Sequence, residues 1–161
     1  MAVHKLILDN VFDEVNYTLI AIHCTLEDYR LAYLLNKNLG ISFKRKMCDL
    51  DLNSGKSSFS IFDWEDEKQL LTWSLVSNIC VKEIYEVAQY QSLFNTEYKV
   101  TKTFNLVPEK KRVNYFLKIE NELSENKEKY IINSILNIPQ IATAYSIDTS
   151  QLKSKDNLIF S

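Results

Sequence analysis

Apolar and polar positions along this chain follow two periods, one of about 3.6 residues and one of two, and the changes between them mark the expected elements. Val3 to Leu8 reads as a first strand, and NYTLIAIHC, from Asn16 to Cys24, as a second that is buried at its centre. TLEDYRLAYLLNKNLG then switches to the helical period. Leu31, Ala32, Leu35 and Leu39 fall on a stripe roughly 100° wide, Thr25 with Asp28 suggests a capping box, and Gly40 stands where a helix stops. ISFKRKMCDLDL returns to the strand period with Ile41, Phe43 and Met47 on one face, although Arg45 shares it.

SSFSIFDW and KQLLTWSLV bracket the acidic run Asp63-Trp64-Glu65-Asp66-Glu67 and predict a hairpin. The stretch from Ser77 to Asn95 fits a strand end, a loop or a short helix and is left unassigned. YKVTKTFNLV and RVNYFLKIE flank PEKK, which predicts a second hairpin whose return strand has Val113, Tyr115, Leu117 and Ile119 on one face. A second helix over ENKEKYIINSIL carries the stripe Ile131, Ile132, Ile135 and Leu136 and is stopped by Asn137 and Pro139. IATAYSI is a closing strand, and the apolar NLIF near the end is expected to dock on the body. The sum is an α+β fold: a mostly antiparallel sheet, two principal helices packed on it, and a strand-helix-strand segment near each end. The second of these resembles half of a ferredoxin-like regulatory domain of the ACT type, over about thirty-five residues.

Composition narrows the class. At 161 residues, with 46% hydrophobic and 25% charged positions, the chain suits a single globular domain spanning residues 1–161. A net charge of -2 gives no overall pull toward nucleic acid or an anionic membrane, so any such binding must be local. Cys24, Cys48 and Cys80 show no paired or zinc-type spacing and read as small buried residues in a reducing cytosol. The start, MAVHKLILDNVFDE, lacks signal-peptide character, and no run of about 18 apolar residues suggests a spanning helix. A cytoplasmic location with no membrane contact is expected.

Candidate chemistry is sparse. Gly55-Lys56-Ser57 resembles the end of a phosphate loop, but Leu50 stands where the first glycine belongs, so a polar turn is expected. Asp49 and Asp51, with Glu65 to Glu67, are weighed as a divalent-cation set against solvated turns, and the turns are preferred. His4 and His23 lack metal spacing, and His23 and Cys24, adjacent in a strand, point to opposite faces, which argues against a nucleophile pair. The chain is read as non-enzymatic more readily than as an enzyme, with no catalytic residue, metal or cofactor assigned. Two basic clusters remain: Lys44-Arg45-Lys46, and Lys110-Lys111-Arg112 followed by Tyr115. Clustered cations contact phosphates and aromatic rings stack on unpaired bases, so these seven residues are the candidate nucleic-acid contacts.

Val107-Pro108-Glu109, three further residues, then Val113-Asn114-Tyr115 resembles the motif of the IPExxxVDY family of Bacteroidetes proteins. HKLILD, LEDYRLAYLLNKNL, IPQIATAY and LKSKDNLIF extend the resemblance along the chain. Val107 replaces isoleucine, which is nearly isosteric, and Asn114 replaces aspartate, which removes a charge. The resemblance implies a cytoplasmic protein without an established activity. The expected function is a non-enzymatic interaction or adaptor protein that binds another cytosolic protein. RNA binding through residues 44–46 and 110–112 is the alternative, and an ACT-like small-ligand regulatory domain a further one. DNA is not expected as a partner, and a homo-oligomer stays open.

Overall fold

The computed structural model describes residues 16–87 and 97–160, so the strand expected at Val3 to Leu8, and His4 within it, lie outside the described residues. The described residues form β1 (Thr18–Cys24), α1 (Asp28–Leu39), β2 (Lys44–Arg45), β3 (Leu50–Leu52), β4 (Ser57–Phe59), β5 (Ile61–Asp66), β6 (Leu71–Ser77), β7 (Ile79–Val87), β8 (Glu97–Asn105), β9 (Tyr115–Ile119), α2 (Glu125–Leu136) and β10 (Ile141–Ser146). Six strands make one sheet in the order β10-β1-β9-β6-β5-β2, and every neighbouring pair is antiparallel. The class is α+β, as the periodicities predict.

Because each neighbour reverses direction, β9 and β10 run parallel with β1 between them, and α2 is the crossover that joins them. This is a split β-α-β unit. The ferredoxin-like arrangement is confined to β10, β1, β9 and β6 with the two helices, and β2 to β5 are inserted between α1 and β6.

Both helices bury most of the stripes that their sequences predict, Leu136 being the exception. In α1 Leu31, Ala32 and Leu35 are buried, and Gly40 closes the helix at φ 67°, its N–H donating to the Asn36 carbonyl. That left-handed conformation carries a steric cost for any residue with a Cβ, which is why glycine serves here. The helix starts at Asp28 rather than at Thr25, because Glu27 is its N-cap and the Asp28 carboxylate accepts the Tyr29 N–H at 2.7 Å. In α2 Ile131 and Ile135 are buried and Ile132 is half-covered, whereas Leu136, at the end of the helix, is exposed.

The sheet is buried on both faces, by different means. On one face Ile20, Ile22, Leu75, Tyr115, Leu117 and Ile119 pack against the two helices. On the other, Leu19, Ala21, Ile61, Val76 and Phe116 have no helix above them and are covered by Leu106, Val107 and Val113, by Phe59, and by Leu152 and Leu158 of the C-terminal segment. Val113 therefore belongs to the opposite face from Tyr115, Leu117 and Ile119. Lys118 is also on this second face, buried, with its ammonium 5.1 Å from the Tyr17 ring centroid and 5.0 Å from that of Phe160. The rings favour the cation electrostatically while shielding it from water.

Three further expectations need correction. ISFKRKMCDLDL is two short strands in two different sheets, since Arg45 is drawn to both Asp28 and Asp49 and the chain turns at Met47, which is fully exposed. The acids Asp63, Glu65 and Asp66 lie within β5 of the predicted hairpin, and the turn to β6 comes after them. Finally, PEKK is not a hairpin turn: β8 pairs with β7 along its whole length, and β9 lies between β1 and β6. Residues 106–114 are instead a strap that crosses the second face of the sheet.

Asn78, fully buried, is what turns the chain there. It stands between β6 and β7, where the chain leaves the main sheet. Its N–H donates to the Asn114 carbonyl and its carbonyl accepts from Leu106 N–H, both at 2.9 Å. Its side-chain amide donates to the carbonyls of Lys110 at 2.9 Å and Val113 at 2.8 Å, and its Oδ1 accepts the Val107 N–H at 2.8 Å. Removing the amide leaves buried groups unpaired, each at a cost of about 1–3 kcal/mol. Asn78→Ala is expected to destabilise the fold by roughly 3 kcal/mol in urea unfolding, with Asn78→Asp close behind because a carboxylate cannot donate to the two carbonyls. A loss below about 1 kcal/mol for Asn78→Ala would contradict this role.

Candidate functional site

The VPExxxVNY residues are gathered on and beside the strap, and each has a partner. Val107 and Val113 are buried on the second face of the sheet. Pro108 opens a single 3-10 turn, Pro108–Lys110, where its fixed φ suits the first position and no N–H is required. Asn114 donates its N–H to the Ile22 carbonyl and its Oδ1 accepts the Cys24 N–H at 3.1 Å, next to the irregularity in the β1–β10 register at His23 and Cys24. An aspartate would offer the same acceptor there, so asparagine in place of aspartate keeps this contact. Tyr115 is buried with its hydroxyl donating to the Leu26 carbonyl at 2.7 Å, and burial, with Cys24, Asp28 and Glu27 nearby, pushes its phenol well up.

Glu109 holds the C-terminal segment. One carboxylate oxygen accepts the Lys153 and Ser154 N–H groups at 2.7 and 2.8 Å, and the other accepts the Ser154 hydroxyl at 2.7 Å. Asn157 adds a bond from its amide to the Leu106 carbonyl at 2.8 Å. Leu152, Leu158 and Phe160 are thereby pressed onto the strap face, so the apolar end docks as the sequence predicts.

The two basic clusters differ in position and in state. Lys44 and Arg45 form β2, at one edge of the main sheet, and this cluster is largely engaged: Arg45 with Asp28 and Asp49, and Lys46 with Asp63 at 3.2 Å. Lys110, Lys111 and Arg112 are exposed on the strap and have no ion-pair partner among the described residues. They line a cavity of about 260 Å3 together with Glu109, Val113 and Tyr145 of β10, which is the opposite edge strand. The structure does not bring the two clusters together. Nor does it offer the Tyr115 ring to a base, since that side chain is in the core. The aromatic side chain beside the strap cations is Tyr145, which sequence reasoning missed because its place is set by a pairing with Ala21 across the chain.

The other sequence candidates have ordinary places. Gly55 and Lys56 lie in the turn between β3 and β4, and Ser57 begins β4. Asp49 is held by Arg45 while Asp51 is exposed, and among the described residues no group of three or more potential ligands is placed to hold a metal. A larger cavity, about 640 Å3, is lined by Ser42, Lys44, Lys68 and the acids of the β5–β6 hairpin. Cys24 and Cys80 are buried, but Cys48 is exposed, contrary to expectation, because the chain turns there. Among the described residues no helix is long and apolar enough to cross a membrane.

These features define an α+β sheet protein with one helical face and one strapped face. Comparison with known proteins found no matching family model, no similar curated protein and no matching solved structure.

The Glu109 contacts give a pH signature. Partial desolvation pushes its carboxyl up, but the Ser154 N–H and hydroxyl and the Lys153 N–H outweigh this and bring it from 4.5 down to about 2. A carboxyl depressed in the folded state stabilises the fold above its unfolded pKa and loses that contribution as pH falls through the folded value. The Glu109 contribution is therefore full above about pH 4.5 and fades toward pH 2. Glu109→Gln is expected to flatten the acid limb of stability in this window, measured by urea unfolding at pH 7 and pH 3. An unchanged acid limb would count against the latch.

Proposed function

We propose that the chain is a cytoplasmic, non-enzymatic interaction module, related to the IPExxxVDY proteins, which engages another protein through the β7–β8 hairpin. The observation that carries this reading is a row of exposed apolar side chains, Val81, Tyr85 and Val87, 61%, 67% and 51% exposed, on one face of a two-stranded ribbon apart from the main sheet. Glu83 interrupts this row and pairs with Lys99 on the same face, while Glu86 pairs with Lys102 on the other, so these four charges are matched within the ribbon.

The hairpin is anchored at its base and open beyond it. Cys80 is buried in the second-face core with Phe104 packed against it, and the Lys82 ammonium donates to the Gly55 carbonyl at 3.0 Å. Among the described residues β8 pairs with β7 alone, and no described strand takes its other edge. A lone two-stranded ribbon is marginal in water, and an extended segment added to such an edge supplies both a third strand and apolar cover. The fitting partner is an extended apolar segment of a second protein.

A photo-cross-linking residue in place of Tyr85, introduced in cells, is expected to give a discrete adduct that Val81→Ser with Val87→Ser abolishes, while the same probe at Tyr33 on α1 gives none. No adduct from position 85 would remove this reading, and an adduct made only with a second copy would replace the foreign partner by a homodimer.

A further inference from the structure

The strap cations suggest a second surface, distinct from the hairpin. We propose that the cleft between residues 110–112 and Tyr145 binds single-stranded nucleic acid, its phosphates on Lys110, Lys111 and Arg112 and a base stacked on Tyr145. Three observations converge on it.

First, the strap backbone is fixed before any ligand arrives. The carbonyls of Lys110 and Val113 are held by the Asn78 amide and that of Lys111 by the Asn105 amide at 3.3 Å, so three consecutive cations project from a rigid segment. Little backbone order has to be gained on binding, which favours affinity. Second, the acid that adjoins them in sequence is occupied. Glu109 is the carboxylate among the residues lining the cavity; its oxygens are bound by the Lys153 and Ser154 N–H groups and the Ser154 hydroxyl and not by the cations, so three positive charges against one negative leave the lining at +2.

Third, Tyr145 is set as a platform. It is 39% exposed, and its ring stacks on His23 with centroids 5.5 Å apart and planes at 28°, while His23 Nε2 lies 3.1 Å from its hydroxyl. His23, on which the ring rests, also lines a separate cavity of about 340 Å3 with Asn114 and Pro139. Cations on one side of the cavity and a supported aromatic ring on the other match a strand of unpaired nucleotides. An acidic peptide would use the cations but not the ring, which makes it the poorer fit.

The test is fluorescence anisotropy with a labelled twelve-nucleotide oligouridylate on the full chain. Three phosphate contacts predict that affinity falls roughly 20-fold between 50 and 200 mM salt. Tyr145→Leu, which keeps apolar bulk but removes the ring, is expected to cost about tenfold. Lys110→Glu with Lys111→Glu and Arg112→Glu should abolish binding, whereas Lys44→Glu should leave it unchanged, with melting curves confirming that each variant folds. Absence of binding at 50 mM salt would overturn the proposal, as would equal loss from Lys44→Glu. Competition on the unaltered protein needs no variant: polyglutamate or a duplex of the same length displacing the oligouridylate as well as unlabelled single strand does would also overturn it, the former by assigning the loop to acidic protein segments.

Discussion

The side-chain amide of Asn78 is the contact on which the layout of this molecule turns. Backbone groups in a strap with no ladder to join must still find partners when buried, and one amide supplies both donor and acceptor for three of them. It does so where β6 leaves the main sheet, so one residue both sends the hairpin outward and holds the returning chain against the sheet. Without it, residues 106–114 would lose three of the bonds that hold them across the second face, where Val107 and Val113 cover Leu19, Ala21 and Phe116. The exposed hairpin and the basic strap are two outcomes of one branch point.

What the sequence reveals depends on how local the cause is. The helices were legible because their stripes and the stop at Gly40 are written within a dozen residues, and the β5–β6 hairpin because its arms are adjacent. The path from Asn105 to Tyr115 was not, because a charged turn between two apolar runs looks the same whether the runs pair with each other or with strands elsewhere. Deciding between them required Asn78, nearly thirty residues earlier and unremarkable as a polar residue between strands. Tyr145 was hidden for the same reason: its pairing with Ala21 and its stacking on His23 join opposite ends of the chain. The basic run was visible in sequence, but which of two runs stays unpaired was a matter of where Asp28, Asp49 and Asp63 come to lie.

The VPExxxVNY residues illustrate how a motif can be architectural. A capped tail, a strand-end amide, two buried valines and a tyrosine hydroxyl on a loop carbonyl account for its polar and apolar positions alike. Its spacing follows from geometry: one end grips the C-terminal segment and the other enters the central strand β9. The residues between the fixed ends, Lys110, Lys111 and Arg112, are those left without a structural task for their side chains.

The position of β1 between β9 and β10 has a consequence for how the chain is made. Both neighbours of β1 are synthesised only after most of the chain, whereas β5 with β6 and β7 with β8 can pair as soon as they appear. Among the described strands, a nascent chain thus holds the fully buried run Leu19 to Ile22 of β1 without its sheet neighbours until β9 emerges. Closing such distant pairings is slow compared with forming local hairpins. During synthesis this strand is the segment with most need of shelter, and α1, the first element available to lie over it, is the natural provider.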